Sequence, residues 1–172
     1  MRKVILNVAV SLDNFIEGAN GEYDWCFTDQ DYGMKNFFKR TDAIFLGRKS
    51  YELVTKTGAD YFGKRKIYVF SKTLSETKNK NTTIINKDVA AAVNKIKNEP
   101  GKDIWLFGGA SLVTTFINES LVDELMLAIH PILLGNGKPL FQNINKRIKL
   151  ELTDAKTFSS GLVQLFYALK GN

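Results

Sequence analysis

The chain has 172 residues, 44% of them hydrophobic, and a formal net charge of +6. That length and apolar share suit one domain with a full core over residues 1–172, and no run approaches the ~18 apolar residues of a membrane helix. A lone Cys26, a lone His130 and no Cys/His cluster argue against a zinc site or an internal disulfide, and the charge is spread without a basic helix or an aromatic-basic RNA motif. The expectation is a cytoplasmic protein with an anionic small-molecule ligand, no nucleic-acid partner and no membrane, because the N-terminus also lacks a signal-peptide layout.

In chain order, Val4 to Val10 is an apolar run that predicts a buried strand. Thr28-Asp-Gln-Asp31 predicts a helix start, with Phe37 and Phe38 further along the helix. Ala43 to Leu46 predicts a strand, and Arg48 to Val54 a short helix broken at Thr57-Gly58. Lys66 to Phe70 and Thr82 to Asn86 predict two more strands. Val89 to Asn98 predicts a helix with Val89, Val93, Ile96 and Lys97 on one side, ended by Pro100-Gly101. Asp103 to Phe107 predicts a strand, Ala110 to Asn118 a helix, and Glu124 to Leu134 one long strand. Lys149 to Phe158 and Leu162 to Leu169 predict a terminal antiparallel pair. The first two-thirds therefore predicts a parallel sheet with crossover helices.

Two junctions carry the chemistry. Ala43-Ile-Phe-Leu-Gly47-Arg48-Lys49-Ser50-Tyr51 and Ile104-Trp-Leu-Phe-Gly108-Gly109-Ala110-Ser111 each pass from an apolar strand through glycine into a helix. A helix N-terminus offers unpaired N–H groups and the positive end of the dipole, and glycine lets a phosphate approach closely. Two such ends suit a ligand with several phosphates, a dinucleotide first of all. Other glycine patterns fit worse. Gly58-Ala-Asp-Tyr-Phe-Gly63-Lys64-Arg65 lacks the Ser/Thr and the following helix of a P-loop, so it predicts a loop. Gly135-Asn-Gly137 lacks the third glycine of a dinucleotide fingerprint and predicts a turn or bulge.

Taken together, Val10-Ser-Leu-Asp13-Asn14-Phe-Ile16, Asp24-Trp25, Gly47-Arg48-Lys49-Ser50-Tyr51-Glu52, Ser71-Lys72-Thr73, Gly108-Gly109-Ala110, Leu121-Val-Asp123-Glu124-Leu125 and His130-Pro131 through Phe141 resemble the dihydrofolate-reductase-like superfamily. Within it, they resemble most the branch of the riboflavin-biosynthesis reductase. The resemblance implies an α/β fold of three layers, with a mostly parallel eight-stranded sheet and an antiparallel C-terminal strand pair. It also implies NADPH lying across the strand ends. Gly47, Arg48, Lys49 and Ser50 match the cofactor-phosphate helix; Ser71, Lys72 and Thr73 match the turn at the adenosine end and its 2′-phosphate. Gly108, Gly109, Ala110 and Ser111 match the pyrophosphate turn, with a cis peptide between the glycines. Val8, Ala9 and Ile16 match positions beside the nicotinamide.

The catalytic acid is expected at Asp31, whose spacing to Gly47 matches the proton-relay carboxylate of folate reductases; Asp29 competes, and both also suit a plain helix start. Trp25, Lys35, Tyr51 and Arg65 are expected at the substrate, with packing roles as the alternative for Trp25 and Tyr51 and an exposed loop cation for Arg65. Lys35 and Ala128 depart from the folate-reductase pattern and weaken a dihydrofolate assignment. The apolar strip Glu124 to Leu134 suggests burial in the sheet and in a homodimer contact. Three function classes follow: an NADPH-dependent reductase of a small heterocycle, dihydrofolate included; a nucleotide-binding module without turnover; and a basic protein binding nucleic acid.

Overall fold

A computed structural model describes residues 1–57, 62–77 and 79–169. Eight strands form one sheet: β1 (Val4–Ser11), β3 (Thr41–Gly47), β4 (Lys66–Phe70), β5 (Thr82–Ile85), β6 (Asp103–Gly108), β7 (Glu124–His130), β9 (Leu150–Thr157) and β10 (Val163–Leu169). A separate short pair joins β2 (Phe15–Glu17) to β8 (Lys138–Pro139). The helices are α1 (Met34–Arg40), α2 (Arg48–Lys56), α3 (Val89–Asn98) and α4 (Ala110–Asn118). Across the sheet the order is β5-β4-β3-β6-β1-β7-β10-β9. Pairing is parallel up to β7, and β10 runs antiparallel to both β7 and β9. The expected architecture is therefore present.

Helices cover both faces, which is why the inner strands are apolar on both sides. Ala43 to Leu46 is wholly buried. On one face Phe37 of α1 and Tyr51 of α2 pack with Ile5, Ile44, Val69 and Trp105. On the other, Val93 and Ile96 of α3 and Phe116 and Ile117 of α4 pack with Leu6, Phe45 and Leu106. Lys97 is buried beside them, and its Nζ lies 2.8 Å from an Asp123 carboxylate oxygen. A helical face that holds a lysine inward is thus neutralised from the start of β7.

Two expected boundaries differ by more than two residues. The first helix begins at Met34 rather than near Thr28, because Tyr32 (φ 45) and Gly33 (φ 80) adopt left-handed backbone that breaks helical continuity before it. The long strand stops at His130, since Pro131 has no N–H for a ladder and the Leu134 and Gly135 N–H groups donate instead to the Asp13 carboxylate, at 3.2 and 2.8 Å. That carboxylate also accepts the Ser11 hydroxyl, which lowers its pKa first, ahead of the backbone donors. The Gly135-Asn-Gly137 turn lies against β2, where a Cβ on Gly137 would come within 2.3 Å of the Glu17 carbonyl oxygen. The proposed loop at 58–65 falls partly outside the described residues, because 58–61 are not among them.

The sheet opens beside β1. Pairing of β1 with β6 ends at Leu6–Leu106, whereas pairing with β7 continues to Ser11–His130. The chain leaves β1 toward β3 on one side, and β6 crosses over β1 to β7 on the other. Open α/β sheets bind ligands at such a switch point, outside the carboxyl ends of the strands.

Candidate functional site

The two glycine junctions meet at that edge. Leu46 of β3 is in register with Gly108 of β6, and a Cβ on Gly47 would lie 3.7 Å from both the Gly108 carbonyl oxygen and the Gly109 nitrogen. Helices α2 and α4 start directly after Gly47 and Gly109, so two positive helix ends point into one place. Neither helix has a capping side chain or an acidic residue in its first turn. Leu112 and Val113 N–H groups donate to the Gly109 carbonyl at 2.9 and 3.1 Å, and the earlier groups, at Ala110 and Ser111, precede that bonding. Gly108 has φ +112, a conformation suited to glycine, and the Gly108–Gly109 peptide is cis. Ser50 faces this turn: its Oγ would be 3.4 Å from a Cβ on Gly109.

A second set gathers beyond α2. Arg48 Nη1 donates to Thr73 Oγ1 at 2.9 Å, and its Nε sits 3.5 Å from Glu52. Ser71 Oγ accepts the Thr73 and Leu74 N–H groups at 3.2 and 2.9 Å, which fixes the turn after β4. Lys72 and Lys49 are exposed at the same end of the sheet. Arg48 and Thr73, expected around a 2′-phosphate, are therefore neighbours, and Lys49 and Lys72, next to them in the chain, are exposed.

Val8 of β1 and Ile16 of β2 pack partly against the core, and Ala9 of β1 is half-buried. The Asn7 carbonyl accepts the Trp105 indole N–H at 3.0 Å, so it points toward β6. Backbone groups alternate along a strand, so Ala9 presents its N–H and C=O to the same side, past the last β1–β6 pair. This is a free backbone edge suited to a carboxamide.

The residues expected at the substrate divide. Trp25 stands edge-on to His130 with ring centroids 5.2 Å apart, and its indole N–H is buried without a partner among the described residues. Tyr51 does not line a cleft. It is buried in the core, and its hydroxyl lies 2.6 Å from Thr77 Oγ1. Arg65 donates to the Phe38 and Phe62 carbonyls at 2.9 and 3.0 Å and lies over the Phe38 ring, which packing beside α1 explains. Lys35 is exposed on α1. Asp31 is exposed too, ahead of the helix, and its Oδ1 accepts the Lys35 N–H at 3.0 Å. That is a helix-start role and not the buried relay position. Asp29 accepts the Tyr32 hydroxyl at 2.7 Å.

His130 is a packed residue. Its Nδ1 lies 3.0 Å from the Ala128 carbonyl and its Nε2 accepts the Phe27 N–H at 3.1 Å, which selects the neutral Nδ1–H tautomer. Burial pushes its pKa down. Burial pushes the Cys26 thiol up to about 11, so it is no nucleophile at neutral pH. Among the described residues no group of His, Cys, Asp and Glu could hold a metal ion, and no helix is long and apolar enough to cross a membrane. Sequence reading passed over two buried carboxamides, Asn7 and Gln164. The signal for Asn7 was present: it is the one polar residue inside the run Val4 to Val10.

Comparison with known proteins agrees with the fold. The uncharacterized protein YyaP of Bacillus subtilis strain 168 is 48% identical over 182 residues, covering 99% of this chain and 96% of its own length. A protein of Shewanella sp. PV-4, whose name assigns it provisionally to riboflavin biosynthesis, superposes with a TM-score of 0.87 at 23% identity, over 99% of this chain and all (100%) of its own. The deaminase and 5-amino-6-(5-phosphoribosylamino)uracil reductase of Thermotoga maritima shares the fold with a TM-score of 0.74 at 12% identity; the match covers 98% of this chain and 56% of that longer one. The model of the RibD C-terminal domain matches residues 2–164, and the chain belongs to that family.

Proposed function

We propose that this protein is a cytoplasmic NADPH-dependent reductase that transfers hydride to a C=N or C=O of a small heterocycle of the ribosylaminopyrimidine or pteridine type. The observation that carries the reading is the meeting of two uncapped, glycine-led helix starts beside the open edge of β1. Those donors fit a pyrophosphate. Arg48, Thr73 and Lys72 fit an additional 2′-phosphate, and the Ala9 backbone edge fits a nicotinamide carboxamide. Bound NADPH supplies the hydride. The chain's own work is to hold the reacting atoms together and to limit water on the α1 face of the sheet. With Asp31 at the surface, solvent is the proton source in this reading, and the acceptor must already be polarised.

Support for the pyrimidine side comes from the RibD C-terminal domain family and from the name of the Thermotoga maritima protein that shares the fold, a uracil reductase. Dihydrofolate is the weaker substrate, because Lys35 is exposed and Ala128 offers no hydroxyl. A homodimer belongs to the same reading: Leu12 (64% exposed) and Leu133 (69%) flank the Leu12 N–H to Ile132 carbonyl bond and form an apolar patch. The experiment is a substrate screen following NADPH absorbance at 340 nm, with dihydrofolate and phosphoribosylaminopyrimidine included. Saturable oxidation with the pyrimidine supports the reading. NADPH binding without oxidation of any substrate would favour a module without turnover.

A further inference from the structure

Asn7 interrupts the apolar run Val4 to Val10 of β1 and is buried, 8% exposed. Alternate residues of a strand share a face, so its side chain lies with Ile5 on the α1 side. There its Nδ2 has one hydrogen-bond partner among the described residues, the Met34 thioether at 3.5 Å. Sulfur is a weak acceptor, poor compensation for a buried amide. A second carboxamide stands on the same face. Gln164 of β10 is 3% exposed, and its Nε2 donates to the Tyr32 carbonyl at 2.8 Å. Both amide nitrogens are thus turned to the segment that carries α1.

Neither side-chain oxygen accepts a hydrogen bond among the described residues. Neither is among the sealed, unpartnered polar atoms, so each borders space that solvent reaches. Between them the floor is small. Ala9, Ala128 and Gln164 stand in one row across β1, β7 and β10, and Asn7 is two residues before Ala9. Two strand spacings separate β1 from β10 by about 10 Å, and Met34 and Tyr32 of the segment above contact the two amide nitrogens.

We infer that Asn7 and Gln164 determine substrate specificity, their carboxamide oxygens accepting ring N–H groups of a lactam- or imide-type heterocycle lying over Ala9 and Ala128. The inference rests on the reductase reading, since the Ala9 edge is where the nicotinamide would lie. The chemistry is directional. Two buried acceptors favour a ring that brings N–H donors and disfavour the same ring with those positions methylated. Discrimination against the methylated ring is expected to be roughly tenfold or more.

The test compares 6-aminouracil with its 1,3-dimethyl derivative, in which both ring N–H groups are blocked. Binding is read by quenching of tryptophan fluorescence, because the Trp105 indole donates directly to the Asn7 carbonyl. The expected result is roughly tenfold or greater preference for 6-aminouracil, lost in Asn7→Leu and reduced in Gln164→Met, with NADPH affinity unchanged in both. Circular dichroism checks that the variants fold; if either does not, the probe comparison on the unmodified protein decides. Equal affinity for the two probes, no binding of either at millimolar concentration, or full discrimination retained in folded variants would overturn the inference. Failure of NADPH to bind the unmodified protein would instead overturn the reductase reading, which the probe comparison does not depend on.

Discussion

Substituting Gly109 by alanine separates a cofactor turn from a merely tight one. Gly109 has φ −77, which any residue adopts, and an added Cβ meets Ser50 Oγ at 3.4 Å, an ordinary contact. The folded protein therefore accommodates the methyl group, and the stability change should stay within about 0.5 kcal/mol, a shift of roughly 1–2 °C for a chain of this size. The same methyl projects at the start of α4, where a phosphate oxygen would approach the Ala110 and Ser111 N–H groups. Losing one charge-assisted hydrogen bond costs about 1.5–3 kcal/mol, so the NADPH dissociation constant should rise roughly 10- to 150-fold. Fluorescence titration with NADPH and thermal unfolding of the same preparations give both numbers. Gly108→Ala is the contrast, since φ +112 strains an L side chain and should lower Tm as well. A Gly109→Ala protein that binds NADPH as tightly as the unmodified chain would refute the assignment of this turn.

Three further outcomes follow from the same geometry. Arg48→Ala should weaken NADPH roughly tenfold while leaving NADH nearly unchanged, as measured by calorimetry, because only NADPH carries the phosphate Arg48 and Thr73 are placed to meet. Asp31→Asn should leave turnover within about twofold, since the exposed side chain keeps its oxygen for the Lys35 N–H; a large loss at unchanged NADPH affinity would restore a proton-relay role. Burial lowers the folded pKa of His130 below its ordinary 6.5, so the unfolded chain takes up a proton first. Its contribution to stability is full above that ordinary value and is lost as the pH falls from it toward the folded pKa. Urea unfolding at about pH 7.5 and about pH 5.5 should show the drop, and His130→Gln should flatten it.

Much of the fold is written in continuous apolar runs. Ala43 to Leu46 is buried on both faces, as its short continuous apolar run suits an inner strand, and the glycine after it marked the helix start. Local signals misled where tertiary contacts decide. Tyr32 holds a positive φ that few tyrosines adopt, and no composition rule would place the α1 boundary after it. The pair β2–β8 is too short for periodicity to detect, and its geometry depends on Asp13 reaching the backbone 121 and 122 residues away. Tyr51 read as a cleft residue because it follows the phosphate helix start; its hydroxyl instead bonds Thr77, a partner invisible in sequence order. Backbone donors of the site were legible through glycine. Its proposed side-chain acceptors were less so: Asn7 stands out as the one polar residue in the run Val4 to Val10, whereas Gln164 lies in a strand where a single amide has no pattern to mark it.

The central claim is that the two glycine-led helix starts bind NADPH. Calorimetric titration of the unmodified protein with NADPH and, separately, with NADH tests it most directly. The account predicts one site per chain and binding of NADPH roughly tenfold or more tighter than NADH. Absence of NADPH binding, or equal affinity for the two nucleotides, would contradict it.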